Sequence, residues 1–284
     1  MAEVNTILVL GLGTMGNGIA HVAAQAGFTV RCYDVKQEFL DRGISTIRKN
    51  LERGLKKGRI SEEEIEKTMG RLSTYTNLKE AAQGAEFVIE AVFENLEIKV
   101  NLYKELNSIL PPEVIIASNT SSISVSLLGG SSGRQENFIG MHFFNPVPVM
   151  KLIEIIRGLE TTDQTYETTR GLCEKMGKKT IVAKDSPGFV VNRILVPMLN
   201  EAVFALQEGL ASAEDIDKGM VLGTNMPIGP LALLDLIGID TALHVSEAFY
   251  QQYEDSKYRV PNLMRQMVAA KRLGRKTGYG FYKY

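Results

Sequence analysis

Hydrophobic positions along the 284-residue chain fall into short apolar runs separated by longer stretches of helical character. Strand-like runs are read at Thr6–Leu10, Phe28–Tyr33, Leu72–Thr76, Phe87–Val92, Val114–Ser118, Phe138–Phe143, Leu152–Ile156 and Thr180–Ala183. Helical patterns lie between most of them, the first over Ala20–Gly27. Such alternation predicts an α/β fold with a doubly wound, largely parallel sheet. After Asp185-Ser-Pro-Gly188 the strand pattern stops. The remainder reads as helices punctuated by Gly209, Gly223, Met226-Pro-Ile-Gly-Pro230 and Gly238. Two domains are therefore expected, 1–185 and 186–284, with a charged helical hairpin inserted at about 36–70. No internal repeat is evident.

Composition adds exclusions. The chain is 44% hydrophobic and 23% charged, with a net charge of −1, so no global field draws it to nucleic acid or membranes. The most apolar stretch, Phe189–Leu206, is interrupted by Asn192, Arg193, Pro197, Asn200 and Glu201 and is not expected to span a bilayer. Two cysteines, Cys32 and Cys173, are too few for a disulfide framework and fit a reducing compartment. The opening MAEVNT leads directly into a strand, with no room for a leader, and a cytoplasmic location is expected. No metal-ligand spacing stands out.

Chemistry concentrates at three places. Gly11-Leu-Gly13-Thr14-Met15-Gly16 follows the first strand and opens a helix, the context in which a dinucleotide fingerprint is credible. The first glycine allows the tight turn, the second a close approach to a pyrophosphate, and the third helix–strand packing. Asp34 ends the second strand, where a carboxylate accepts hydrogen bonds from ribose hydroxyls and repels an added phosphate. This favours NAD over NADP, although Arg31 and Lys36 flank it.

The second place is Gly140–Glu154, with one of only three histidines. His142 falls at the C-terminal end of a strand, the edge where open α/β sheets bind ligands. Glu154 sits in a strand apolar on both faces, and a buried carboxylate needs a partner. The turns at Asn145-Pro146 and Val147-Pro148 could fold this strand back toward His142. Such a pair would fix the imidazole tautomer and stabilise an imidazolium. The residues alone leave open that the two never meet. Third, Ser118-Asn-Thr-Ser-Ser122 follows another strand and offers amide and hydroxyl donors to the same edge, or caps a helix. Asn192 is a polar residue in an apolar helical segment. The Arg48–Arg59 strip reads as a solvated helix face or as a binding surface for a phosphorylated tail.

Together GLGTMGNGIA, ASNTSSIS, GMHFFNPVPVMKLIEI, DSPGFVVNRI, the Gly229–Asp235 segment and GRKTGYGFYKY resemble the short-chain 3-hydroxyacyl-CoA dehydrogenases over essentially the whole chain. The resemblance implies His142 as catalytic base with Glu154 as its partner, and Ser121 and Asn192 as substrate-positioning residues. It implies Glu94, Lys99, Asn119, Asn145 and Lys276 along the NAD site. Lys56 or Lys57 would contact the CoA phosphates, and the helical domain would form a homodimer. The substrate it implies is a short-chain acyl-CoA. Rival expectations are an NAD-dependent dehydrogenase of a free hydroxy or sugar acid, and a non-catalytic dinucleotide-binding protein.

Overall fold

The computed structural model describes residues 4–284. The absence of a leader read from the opening residues lies partly outside them. By contacts the chain divides into two compact units, Met1–Ser186 and Pro187–Tyr284.

Among the described residues the first unit carries eight strands: β1 (Thr6–Leu10), β2 (Thr29–Tyr33), β3 (Leu72–Tyr75), β4 (Phe87–Glu90), β5 (Ile115–Ser118), β6 (Phe138–Phe143), β7 (Leu152–Arg157) and β8 (Lys179–Lys184). Its helices are α1 (Thr14–Gln25), α2 (Gln37–Lys56), α3 (Glu62–Met69), α4 (Leu78–Ala81), α5 (Leu96–Ile109), α6 (Val125–Ser132) and α7 (Asp163–Lys175). The strands form one sheet in the order β3-β2-β1-β4-β5-β6-β7-β8. Neighbours are parallel from β3 to β6, then β6 and β7 pair antiparallel, and β7 and β8 parallel. Strand order reverses beside β1, so the crevice at the C-terminal ends of β1 and β4 is the topological switch point. The fold is the α/β, Rossmann-type architecture expected.

Apolar burial explains the layers. Ile7, Val9, Val30, Ile89, Ala117 and Ile139 are solvent-free in the sheet and pack under helices on its faces. Strands covered on both faces read as continuous apolar runs rather than alternating ones.

Element ends differ from the sequence reading by a few residues. Phe28 stands outside β2, because its amide closes the end of α1 on Ala23. β4 stops at Glu90 instead of Val92, because the Glu90 carboxylate accepts the Val92 amide and turns the chain. α1 begins at Thr14, well before Ala20; Gly16 and Gly18, poor helix formers, mask its first turn. The inserted hairpin is α2 and α3, the latter opened by a capping box between Ser61 and Glu64.

The second unit is helical: α8 (Val191–Gln207), α9 (Ala213–Thr224), α10 (Pro230–Ile237), α11 (Ile239–Tyr253) and α12 (Asn262–Ala269). Its core includes Leu199, Val203, Leu231, Leu234 and Met264. Two buried aspartates tie it together. Asp217 accepts the Leu231 and Ala232 amides at the start of α10 and the Tyr282 hydroxyl. Asp235 accepts the Phe281 and Tyr282 amides, which anchors the C-terminal segment. No helix among the described residues is long and apolar enough to cross a membrane.

Candidate functional site

The glycine turn lies between β1 and α1. Gly11 has φ +83°, and a Cβ there would lie 2.7 Å from the Ala91 carbonyl oxygen. At Gly16 a Cβ would sit 1.7 Å from the Gly11 carbonyl oxygen, so only glycine lets the helix start against the strand end. Gly13 differs, with nothing within 4 Å of an added Cβ; there the backbone faces open space. Thr14 and Met15 begin α1, whose N-terminus has neither a side-chain cap nor an acidic residue in its first turn. Uncapped amides and the positive end of the helix dipole suit an anion. Asp34 reaches the same turn, accepting the Leu12 amide on Oδ2 and the Val35 amide on Oδ1, each at 2.8 Å. This donor and acceptor set fits a dinucleotide.

His142 and Glu154 are register partners across the antiparallel β6–β7 ladder. Directly opposed residues share a face of the sheet, and His142 Nδ1 lies 2.7 Å from Glu154 Oε2. His142 is 7% exposed and Glu154 fully buried. The cost of burying the Glu154 charge is offset by this contact with a group that can become cationic. Phe144 packs against the imidazole with ring centroids 4.7 Å apart. The β6–β7 loop supplies Asn145, exposed beside Pro146.

The Ser118–Ser122 run joins the crevice by a network that sequence reasoning missed. Glu90, fully buried at the end of β4, accepts from Lys99 Nζ at 2.7 and 2.9 Å, Tyr103 OH at 2.5 Å and Ser118 Oγ at 2.7 Å. Lys99 and Tyr103 are four apart on α5 and so share one face. Burial first, then the Glu90 charge, hold the Tyr103 phenol well above its ordinary pKa. The Lys99 ammonium also lies 3.2 Å from Glu94. Glu94 in turn accepts the Thr120 hydroxyl and the Ser121 and Ser122 amides. Burial alone would raise the Glu94 carboxyl pKa; Lys99, Thr120 and Ser121 outweigh it and hold the group below its usual range. Asn119 donates its amide to the Glu90 carbonyl and accepts the Phe143 amide on Oδ1 at 2.9 Å. That links this run to the residue after His142. An acid ending an apolar strand, followed by a Lys-x-x-x-Tyr spacing in the next helix, was the available signal.

Four further sequence candidates lie on other elements. Lys56 and Lys57, at the end of α2, are exposed. Asn192 occupies the first turn of α8 and Lys276 follows α12, both in the second unit. The Lys276 ammonium pairs with Asp240 at 2.5 Å. Asp185, at the end of the first unit, caps α6 by accepting the Val125 and Ser126 amides.

Comparison with known proteins covers both units. Residues 6–186 match the family model "3-hydroxyacyl-CoA dehydrogenase, NAD binding domain", and residues 188–284 match the family's C-terminal domain. The chain is 48% identical over 282 residues to a probable 3-hydroxybutyryl-CoA dehydrogenase of Bacillus subtilis, covering 99% of this chain and 98% of that one. It is 51% identical over 276 residues to a probable 3-hydroxybutyryl-CoA dehydrogenase of Deinococcus radiodurans, covering 97% and 99%. Among solved structures, (S)-3-hydroxybutyryl-CoA dehydrogenase from Ralstonia eutropha superposes with a TM-score of 0.96 at 49% identity, covering 99% of each chain. With both units matched end to end and the glycine turn intact, the chain belongs to the 3-hydroxyacyl-CoA dehydrogenase family, and its first unit is an NAD-binding domain.

Proposed function

We propose that this chain is an NAD-dependent oxidoreductase that interconverts (S)-3-hydroxybutyryl-CoA and acetoacetyl-CoA, with His142 as general acid and base. The single observation that carries the chemistry is the 2.7 Å contact of His142 Nδ1 with Glu154 at the ligand-binding edge of the sheet. With Nδ1 turned to the carboxylate, Nε2 on the far side of the ring is the atom that meets the substrate. In oxidation Nε2 takes the proton of the 3-hydroxyl; in reduction the imidazolium returns it to the developing alkoxide. Glu154 holds the ring orientation and balances the positive charge while it exists. The cofactor, when bound, supplies the hydride acceptor or donor. Gly13 and the start of α1 hold its phosphates, and Asp34 its adenosine ribose, which disfavours NADP. Glu94, Lys99, Asn119, Asn145 and Lys276 are read as the remaining cofactor-site residues. For Lys99 the role is indirect, through its ion pair with Glu94. Ser121 and Asn192 are read as orienting the substrate, and Lys56 or Lys57 as meeting the CoA phosphates.

Two further readings accompany it. Exposed Leu210, Leu222 and Ile194 in the helical unit support a homodimer built through that unit. The two free, buried thiols Cys32 and Cys173 support a reducing, cytoplasmic setting.

Steady-state rates with acetoacetyl-CoA and longer 3-ketoacyl-CoAs, each with NADH and NADPH, test the proposal. Fast turnover of acetoacetyl-CoA with NADH is expected. Turnover of a free hydroxy acid with none of the thioesters would overturn it.

A further inference from the structure

Lys178, just before β8, is buried, at 7% exposure. Its Nζ donates to the Val147 carbonyl at 2.5 Å and the Met150 carbonyl at 2.8 Å. Both bonds go to main chain rather than to a carboxylate. The two carbonyls belong to the β6–β7 loop, where the Pro146 carbonyl also accepts the Val149 and Met150 amides. The loop is held by α1 as well. A Cβ on Gly18 would lie 2.7 Å from Val147 Cβ, so glycine there gives Val147 its seat. His21, one turn further along α1, is buried as well, and its pKa falls to about 4, first by burial and then by the Lys178 charge. The ammonium therefore sits where α1 and the loop converge. This clamped loop walls one side of a cleft of about 350 Å³; Asn145, Pro146 and Pro148 face it from the loop, and Gly13, Thr14 and Asn17 from the glycine turn and α1.

We propose that Lys178 is a positioning residue for the reaction. By fixing the Pro146–Met150 turn against α1, its ammonium holds Asn145 and Pro148 opposite Gly13 and Thr14 at the separation a bound dinucleotide requires. Burying an ammonium is costly, and spending it on two carbonyls is sensible only where the loop's position matters more than its freedom. The inference rests on the cofactor reading above.

The test compares wild type with Lys178→Met, which keeps the aliphatic length and loses the donor, and with Lys178→Arg, which keeps charge and donors. NADH affinity is read by fluorescence titration, alongside kcat and KM for acetoacetyl-CoA and thermal melting. Lys178→Met is expected to weaken NADH binding by about tenfold with kcat of the saturated enzyme within about threefold, and Lys178→Arg to recover most of the affinity. Adding Asn145→Ala to Lys178→Met should cost little more, because both act through the same wall. Lys178→Gln carries the same comparison should the methionine variant fail to fold. NADH affinity within twofold of wild type in a folded Met or Gln variant overturns the proposal, as do additive effects with Asn145→Ala. Wild-type protein that binds NADH without reducing acetoacetyl-CoA refutes the substrate reading alone and leaves this result standing. Wild-type protein that binds no NADH overturns both.

Discussion

His142 and His21 are both buried histidines of the sheet-bearing unit, and they sit in opposite electrostatic settings. His142 turns Nδ1 to the Glu154 carboxylate at 2.7 Å. His21 lies near the Lys178 ammonium, and its Nδ1 has no hydrogen-bond partner among the described residues. A ring beside a carboxylate can carry a proton through a reaction, whereas a ring beside a cation in an apolar setting stays neutral and serves as packing. The residue type is the same; the partner across the gap decides the use. Glu90 makes the matching point for carboxylates. It is as buried as Glu154, but Lys99, Tyr103 and Ser118 surround it, and it holds two strands and a helix together.

The largest expected effect breaks the comparison at its reactive end. His142→Ala should lower kcat by about a thousandfold or more while NADH affinity stays within about twofold. Near-wild-type turnover would end the general-base assignment. Next, Glu90→Gln should cost stability, about 3 kcal/mol by denaturant midpoint, because Lys99 loses half of a buried ion pair. Its kcat should change by less than about fivefold. A collapse of kcat at unchanged stability would move Glu90 from scaffold to chemistry. Glu154→Gln should cut kcat by about ten- to a hundredfold and alter the pH–rate profile, with melting nearly unchanged. An identical profile would count against proton coupling between the two side chains.

The smallest effect sharpens the other end. The folded-state pKa of His21, about 4, lies below its ordinary 6.5. Between those values the unfolded chain binds a proton that the folded protein refuses. The stabilisation is therefore complete above pH 6.5 and is lost as pH falls toward 4, reaching on the order of 1 kcal/mol by pH 5.5. Urea midpoints across this range should fall less steeply in His21→Gln than in wild type. Parallel slopes would show that His21 does not contribute.

Much of the sheet is legible in the apolar runs because strands covered on both faces leave a continuous signature. The β6–β7 pairing is legible for a further reason. Period two put Glu154 in an apolar setting, and two prolines between it and His142 supply the turn. What stayed hidden was contact between elements far apart in sequence. Glu90, Lys99, Tyr103 and Ser118 come from two strands and a helix, and no local pattern announces that they converge. Lys178 was invisible because a lysine before a strand ordinarily faces water. The resemblance sets Lys99 along the cofactor site, and its ammonium pairs with Glu90 and Glu94, contacts that no local pattern announces. The start of α1 was obscured by glycines whose value lies in close approach, at Gly11 for Gly16 and at Val147 for Gly18, rather than in helix propensity.

The antiparallel turn-back between β6 and β7 has a consequence for how the molecule comes apart. His142 and Glu154 are 12 residues apart and paired within one hairpin. Closing so short a loop costs little chain entropy. Asp34 and the Leu12 amide, by contrast, are 22 residues apart and meet across parallel strands joined by a helix. A partially opened molecule that kept the hairpin would keep His142 oriented after the dinucleotide turn had dissolved. Loss of cofactor affinity should then precede loss of the His142–Glu154 contact on gradual denaturation, with hydrogen exchange at β6 and β7 slower than at β2.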